Sequence, residues 1–212
     1  MELKIITVEE QENRELSALK NEGKKVSYPL SKEDKALIRK MKDITFAAEG
    51  VGLAAPQVDI RKKIAIIYIP ESASLLREDV QSYPIHTIIN AEYFPIEEDG
   101  VASDFEGCYS VKSVYGKVKR YKSIHIKYQD EEGQVIEKKV SGFYARVLQH
   151  EIDHLNGLLI TDRLTPECIQ GTFSEMLSLR RAELPDEKRE HFDALIKKKN
   201  MEIEREEESR DE

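Results

Sequence analysis

The stretch Gln149 to Gly157, QHEIDHLNG, places two histidines four residues apart, with a glutamate directly after the first. On an α-helix, residues i and i+4 share a face, so His150 and His154 can present imidazole nitrogens to one metal ion. Glu151 is turned by about 100° from His150, which sets its carboxylate beside the ion and outside the ligand set. A cation lowers the pKa of bound water and a neighbouring carboxylate can take the proton, so the pattern fits metal-assisted hydrolysis. The plainer alternative is a helix carrying solvated His and Glu.

Hydrolytic centres of this kind usually have three protein ligands. A metzincin would place another histidine three residues after the glycine, but Ile160 stands there, which excludes that class. A thermolysin-like enzyme would use a glutamate about 20 residues beyond the second histidine, and Glu175 is near that place. The remaining soft donor is Cys108 in DFEGCYSV, whose simpler reading is a buried thiol. A third stretch, GVGLAAPQV, supplies Gly50 and Gly52, which let backbone approach a ligand closely, and Gln57, a neutral amide donor.

The elements that must position these residues are legible in outline. The 212 residues suit one core with a tail, and strands that precede a late helix, without regular alternation, point to α+β. Residues 1–7 read as a short strand and 8–30 as irregular. Ser31, with Asp34 in the capping-box position, opens a helix bearing Leu37, Ile38, Met41, Ile44 and Phe46, and Gly50 ends it. KIAIIYIP and HTIINAEYF read as strands, joined by a surface connection with a helical turn. KSIHIKY and QVIEKKV form a hairpin through Asp130 to Gly133. Ser141 then caps a helix whose stripe is Tyr144, Val147, Leu148, Ile152 and Leu155, with Gly157 as its stop. Two helices interrupted by Pro185 follow, and the acidic EIEREEESRDE reads as a solvated end.

A formal charge of −8 argues against sequence-independent binding to DNA or other nucleic acid. No apolar run approaches the roughly 18–20 residues that span a bilayer, and the first residues do not resemble a secretory or transit signal, so the expectation is a cytoplasmic protein without a membrane partner. Two cysteines do not make a disulfide framework.

Together the three stretches resemble peptide deformylase. Gly50, Gly52, Ala54, Ala55 and Gln57 match its first motif, Glu106, Gly107, Cys108 and Ser110 its second, and Gln149, His150, Glu151 and His154 its third. The resemblance covers about residues 3 to 164, giving a catalytic domain over 1–164 and a C-terminal helical extension with an acidic tail over 165–212. It implies antiparallel sheets around a central metal-binding helix, and a metal held by Cys108, His150 and His154 with water as the fourth ligand. Iron(II) is the implied metal, with zinc, nickel or cobalt able to occupy such a site. The implied substrates are N-formylmethionyl nascent polypeptides, with transient proximity to the ribosome.

Glu151 would shuttle the proton, while Gln57 and the backbone N–H of Tyr109 would steady the oxyanion. Gly50, Val51, Gly52, Phe143 and Val147 would hold substrate, the two valines and Phe143 around the methionine side chain. Two departures touch the peptide-facing rim: Tyr109 stands where the family has leucine, and KSVY, with Tyr115, replaces Pro-x-x-Arg. The Tyr109 ring is expected at the wet edge of the cleft. Arg120 is available to pair with Glu106. A metallopeptidase using Glu175, or a non-catalytic paralogue binding polypeptide N-termini, stand as the competing functions.

Overall fold

The computed structural model describes residues 3–11, 17–75, 77 and 80–208. Four helices and eight strands follow in the order α1 (Lys32–Ala47), β1 (Gly52–Ala54), β2 (Ile64–Ile69), β3 (Tyr83–Pro95), β4 (Val101–Cys108), β5 (Val111–Tyr121), β6 (Ser123–Gln129), β7 (Val135–Ser141), α2 (Gly142–Leu155), β8 (Gln170–Gly171), α3 (Phe173–Glu183) and α4 (Asp186–Glu208). Two antiparallel sheets result, one ordered β1-β2-β3-β6-β7 and the other β4-β5-β8. The chain is therefore α+β, and α2 is the helix at its centre.

Strand β2 shows why its apolar run is almost unbroken. Successive side chains of a strand point to opposite faces. Ala65, Ile67 and Ile69 enter a core with Ala145, Leu148, Ile152 and Leu155 of α2. Ile64 and Ile66 enter a second core with Leu37, Ile38 and Met41 of α1. With helices on both sides, both faces must be apolar. The hairpin of β6 and β7 keeps the simple alternation: Ile124, Ile126 and Tyr128 are buried and the residues between them exposed.

Helix α1 starts as expected, with the Ser31 hydroxyl accepting from the Asp34 N–H at 3.0 Å. Its far end differs from expectation. Phe46 is 66% exposed, because the buried stripe of Leu37, Ile38 and Met41 continues to Thr45. The helix stops at Ala47, and the left-handed residue is Glu49, with φ 49°, so Gly50 is not the one that turns the chain.

Other departures concern the ends of the chain. Of the strand expected over 1–7, residues 1 and 2 lie outside the described residues, and 3–7 form no strand. Ile6 N–H donates to Gln57 O at 2.8 Å and Val8 N–H to Ser110 O at 2.9 Å. The segment thus bonds two separate loops, which leaves no ladder to join. Ser141 occupies the N-cap of α2 with extended backbone, but its hydroxyl makes no capping bond. The acidic run expected as a solvated or frayed end is helical through Glu208, as its Glu and Arg content favours, and 209–212 lie outside the described residues. The hairpin of β4 and β5, which carries Cys108, is absent from the sequence reading; most of β4 is exposed or half-buried, so its apolar alternation is faint.

Candidate metal centre

Helix α2 buries one side through Tyr144, Ala145, Leu148, Ile152 and Leu155, and its 3.6-residue period turns His150 and His154 together toward β4. Cys108, the last residue of β4, meets them. Its Sγ lies 3.3 Å from His154 Nε2, which lies 3.2 Å from His150 Nε2, and all three ligand atoms fall within 4.8 Å of one another. Three electron-pair donors crowded this closely repel one another unless a positive charge sits among them, so the arrangement fits a cation. A thiolate with two imidazoles suits soft to borderline transition metals.

The protonation directions agree with that need. Burial opposes charge on His150, but hydrogen bonds with Cys108 and Glu106 hold its pKa well above the usual imidazole value. His154 is pushed well below that value by burial and by charge on His150. One positive charge is thus favoured at the pair, and a metal ion would take its place.

Glu106 orients the first histidine. Its Oε2 accepts from His150 Nδ1 at 3.0 Å, which turns Nε2 toward the centre. Burial alone would raise the Glu106 pKa, yet His150 and Arg120 hold it far below the ordinary carboxylate range. Arg120 pairs with it as expected, at 3.0 and 3.1 Å, and Arg146 adds a bond at 2.7 Å. Arg120 also pairs with Asp153, which Arg163 grips from the other side. The sequence reading missed Arg146, Asp153 and Arg163. Asp153 lies between the motif histidines, but nothing in its spacing reveals arginines that arrive from β5 and from beyond α2.

Glu151 is 3% exposed, and its Oε2 has no hydrogen-bond partner among the described residues. Burial raises its pKa to about 7, with opposing help from His150. The carboxylate lies against β1: a Cβ placed on Gly52 would come within 2.3 Å of Glu151 Oε1. That is why glycine is required there. Gly52→Ala should keep the fold and lower any hydrolysis that uses this carboxylate by about a hundredfold, because the carboxylate must move by close to an ångström. Near-normal turnover with an unchanged far-UV spectrum would mean that Glu151 works from elsewhere.

Gln57 is buried beside the thiol. Its amide oxygen accepts from Ala54 N–H at 2.8 Å, which aims Nε2 at Cys108 Sγ (3.7 Å) and Ser110 Oγ (3.3 Å). Tyr109 is 40% exposed, its hydroxyl donating to Ala48 O at 2.9 Å while its ring covers Gly50. Val147 is buried, and Val51 and Phe143 pack partly against the same core. Phe143 opens onto a cleft also lined by Arg77, Asp104 and Arg146, and the Arg77 guanidinium lies 4.4 Å from the centre of its ring. Glu175 stands apart, its carboxylate accepting from Thr172 N–H and Oγ1 as a helix cap, so it cannot serve as the thermolysin-like ligand.

The polypeptide deformylase family matches residues 3–169. Peptide deformylase 2 of Rickettsia conorii is 38% identical over 175 residues, covering 78% of this chain and 83% of that protein. The crystal structure of peptide deformylase from Thermotoga maritima superposes with a TM-score of 0.64 at 30% identity, over 78% of this chain and 99% of that one. A Met-Ala-Ser-bound crystal structure of the class I type b enzyme from Acinetobacter baumannii gives 0.65 at 30% identity, over 77% and 99%. On the strength of that match and these relatives, the chain belongs to the polypeptide deformylases, metal-dependent hydrolases that remove the N-formyl group from newly made polypeptides.

Proposed function

We propose that the centre on α2 and β4 performs this deformylation, with Cys108, His150 and His154 holding one divalent ion. The observation that carries the reading is the convergence of those three ligand atoms within 4.8 Å of one another. A bound ion supplies Lewis acidity and makes water a nucleophile near neutral pH. Iron(II) is the metal we assign on the family resemblance; zinc, nickel and cobalt suit the same donors.

The remaining work falls to the chain. Glu151, buried beside the centre with Oε2 unpartnered among the described residues, takes the proton of the attacking water and returns it to the amine as the formyl C–N bond breaks. Formate and a free N-terminal methionine result. As the formyl carbon becomes tetrahedral, the Gln57 amide and the Tyr109 backbone N–H donate to its oxygen. β1 and β4 are edge strands of their sheets, so an extended peptide can add to them beside the centre. Gly50 and Gly52 keep the β1 side open, while Val51, Phe143 and Val147 receive the methionine side chain.

Residues 1–164 form the catalytic unit in this reading, and 165–212 its helical extension. We place the protein in the cytoplasm, in transient proximity to the ribosome, where its substrates emerge. Among the described residues no helix is long and apolar enough to cross a membrane. The decisive test is formate release from formyl-Met-Ala-Ser under anaerobic conditions, with metal measured on the same sample. Activity without stoichiometric metal would overturn the ligand assignment.

The anchoring of Gln57 dictates how to test its role. Leucine would also orphan the Ala54 N–H, whereas Gln57→Glu keeps that acceptor, removes the donor and adds a negative charge that opposes the developing oxyanion. Turnover should fall by about a hundredfold or more, with KM changed less. An effect confined to KM would make Gln57 a substrate anchor and not an oxyanion donor.

A further inference from the structure

Strand β4 presents different surroundings to its two faces. Glu106 and Cys108 face α2 and the metal centre. Phe105 and Gly107 face the other way. Lys117 Nζ and the Arg180 guanidinium lie 4.9 and 5.0 Å from the centre of the Phe105 ring, and a Cβ on Gly107 would meet the Tyr115 ring at 2.6 Å. The Tyr115 ring lies 5.1 Å from that of Phe173 on α3. Beside β4, largely on this face, is a cavity of about 180 Å³ whose lining joins Phe105, Gly107, Tyr115, Phe173, Met176 and Phe192 to the charged Arg77, Glu106 and Arg180.

We propose that this cavity is a subsite for the substrate residue that follows formyl-methionine, and that it selects a large apolar side chain. The proposal rests on the reading of an extended peptide added to the β4 edge. Residues directly opposite one another on paired strands point to the same face, and successive residues to opposite faces. With the methionine side chain directed toward α2, the next side chain is directed away from it, to the face that Tyr115 and α3 enclose. A residue paired with Gly107 points the way a side chain on Gly107 would point, into the aromatic wall. The space suits one side chain of the size of leucine, methionine or phenylalanine.

Two observations place the feature with this chain's own departures from its family. Tyr115 stands where the resemblance expects arginine, and Phe173, Met176 and Phe192 lie beyond residue 169, where the family match ends. The C-terminal helices thereby complete a wall that the matched region alone does not supply.

The test compares formyl-Met-Leu-Ser with formyl-Met-Ala-Ser, and the product peptides Met-Leu-Ser and Met-Ala-Ser by calorimetry. The leucine peptides should show KM and Kd about tenfold lower, as expected for burying a few more methylenes. Phe173→Ala alters a residue that is 47% exposed, so the fold should hold, and it should bring the leucine-to-alanine ratio to within about twofold. A thermal melt of the variant checks folding, and Phe173→Leu should restore part of the preference. Equal Kd for the two product peptides with the unmodified protein overturns the subsite. So does a leucine preference that survives Phe173→Ala. Product binding is measurable without turnover, so a failure to hydrolyse formyl-Met-Ala-Ser counts against the metal-centre reading alone.

Discussion

Glu151→Gln should leave a folded protein with its metal in place and a turnover lowered by about a thousandfold, the range expected when a proton shuttle is removed. The amide has the shape of the carboxylate, so the close fit against Gly52 survives. The same exchange should alter stability in the metal-free protein, and the sign is opposite to the loss of activity. Burial lifts the Glu151 pKa to about 7 from its ordinary 4.5. Between those values the native chain holds a proton that the unfolded chain has released, so the free energy of unfolding falls as pH rises through that window. Above it the ionised form costs on the order of 3 kcal/mol, and glutamine is spared that cost. Denaturant unfolding of both metal-free proteins at pH 4 and pH 8 checks this: the variant should gain on the wild type only at the higher pH. Near-normal turnover of the variant would remove Glu151 from the mechanism.

Cys108→Ala should take the metal content from about one ion per chain to near zero, and activity with it. The thiolate is the anionic donor of the set, and without it two imidazoles share the ion with solvent. His150 would lose one of the two hydrogen-bond partners that favour its charge, so the remaining pair would tend toward neutrality. The fold should persist, because alanine removes one sulfur atom from a cluster that Leu19, Val111, Val118, Leu159 and Ile160 also build. Atomic absorption on the purified variant, beside its far-UV spectrum, reads both quantities. Full occupancy and activity would show that the centre does not depend on Cys108.

Sequence carried most of the centre because its parts are local patterns. The two histidines and Glu151 are fixed by one helical period, and Ser31 and Gly157 mark helix ends through backbone chemistry that needs no distant partner. What it could not carry is set by tertiary contacts. Phe46 looks like part of an apolar stripe, and only the packing of α1 shows that Thr45 takes the buried place. The strand carrying Cys108 is mostly exposed, so its periodicity is faint. The arginines around Glu106 and Asp153 come from three different elements, and no spacing rule predicts that they meet. Val51, Phe143 and Val147 are legible in the sequence only as apolar residues near the motifs; the charged mouth formed by Arg77, Asp104 and Arg146 beside Phe143 is made by tertiary contacts.

The segment that bonds Gln57 O through Ile6 and Ser110 O through Val8 acts as a splint between loops that belong to different sheets. Those loops carry the two donors assigned to the oxyanion. Their spacing is therefore governed by residues that touch neither metal nor substrate. Rates depend steeply on such spacing, so the tolerance of the leading segment to change is narrower than its irregular backbone implies. A surface that looks like packing material belongs, in mechanical terms, to the catalyst's frame.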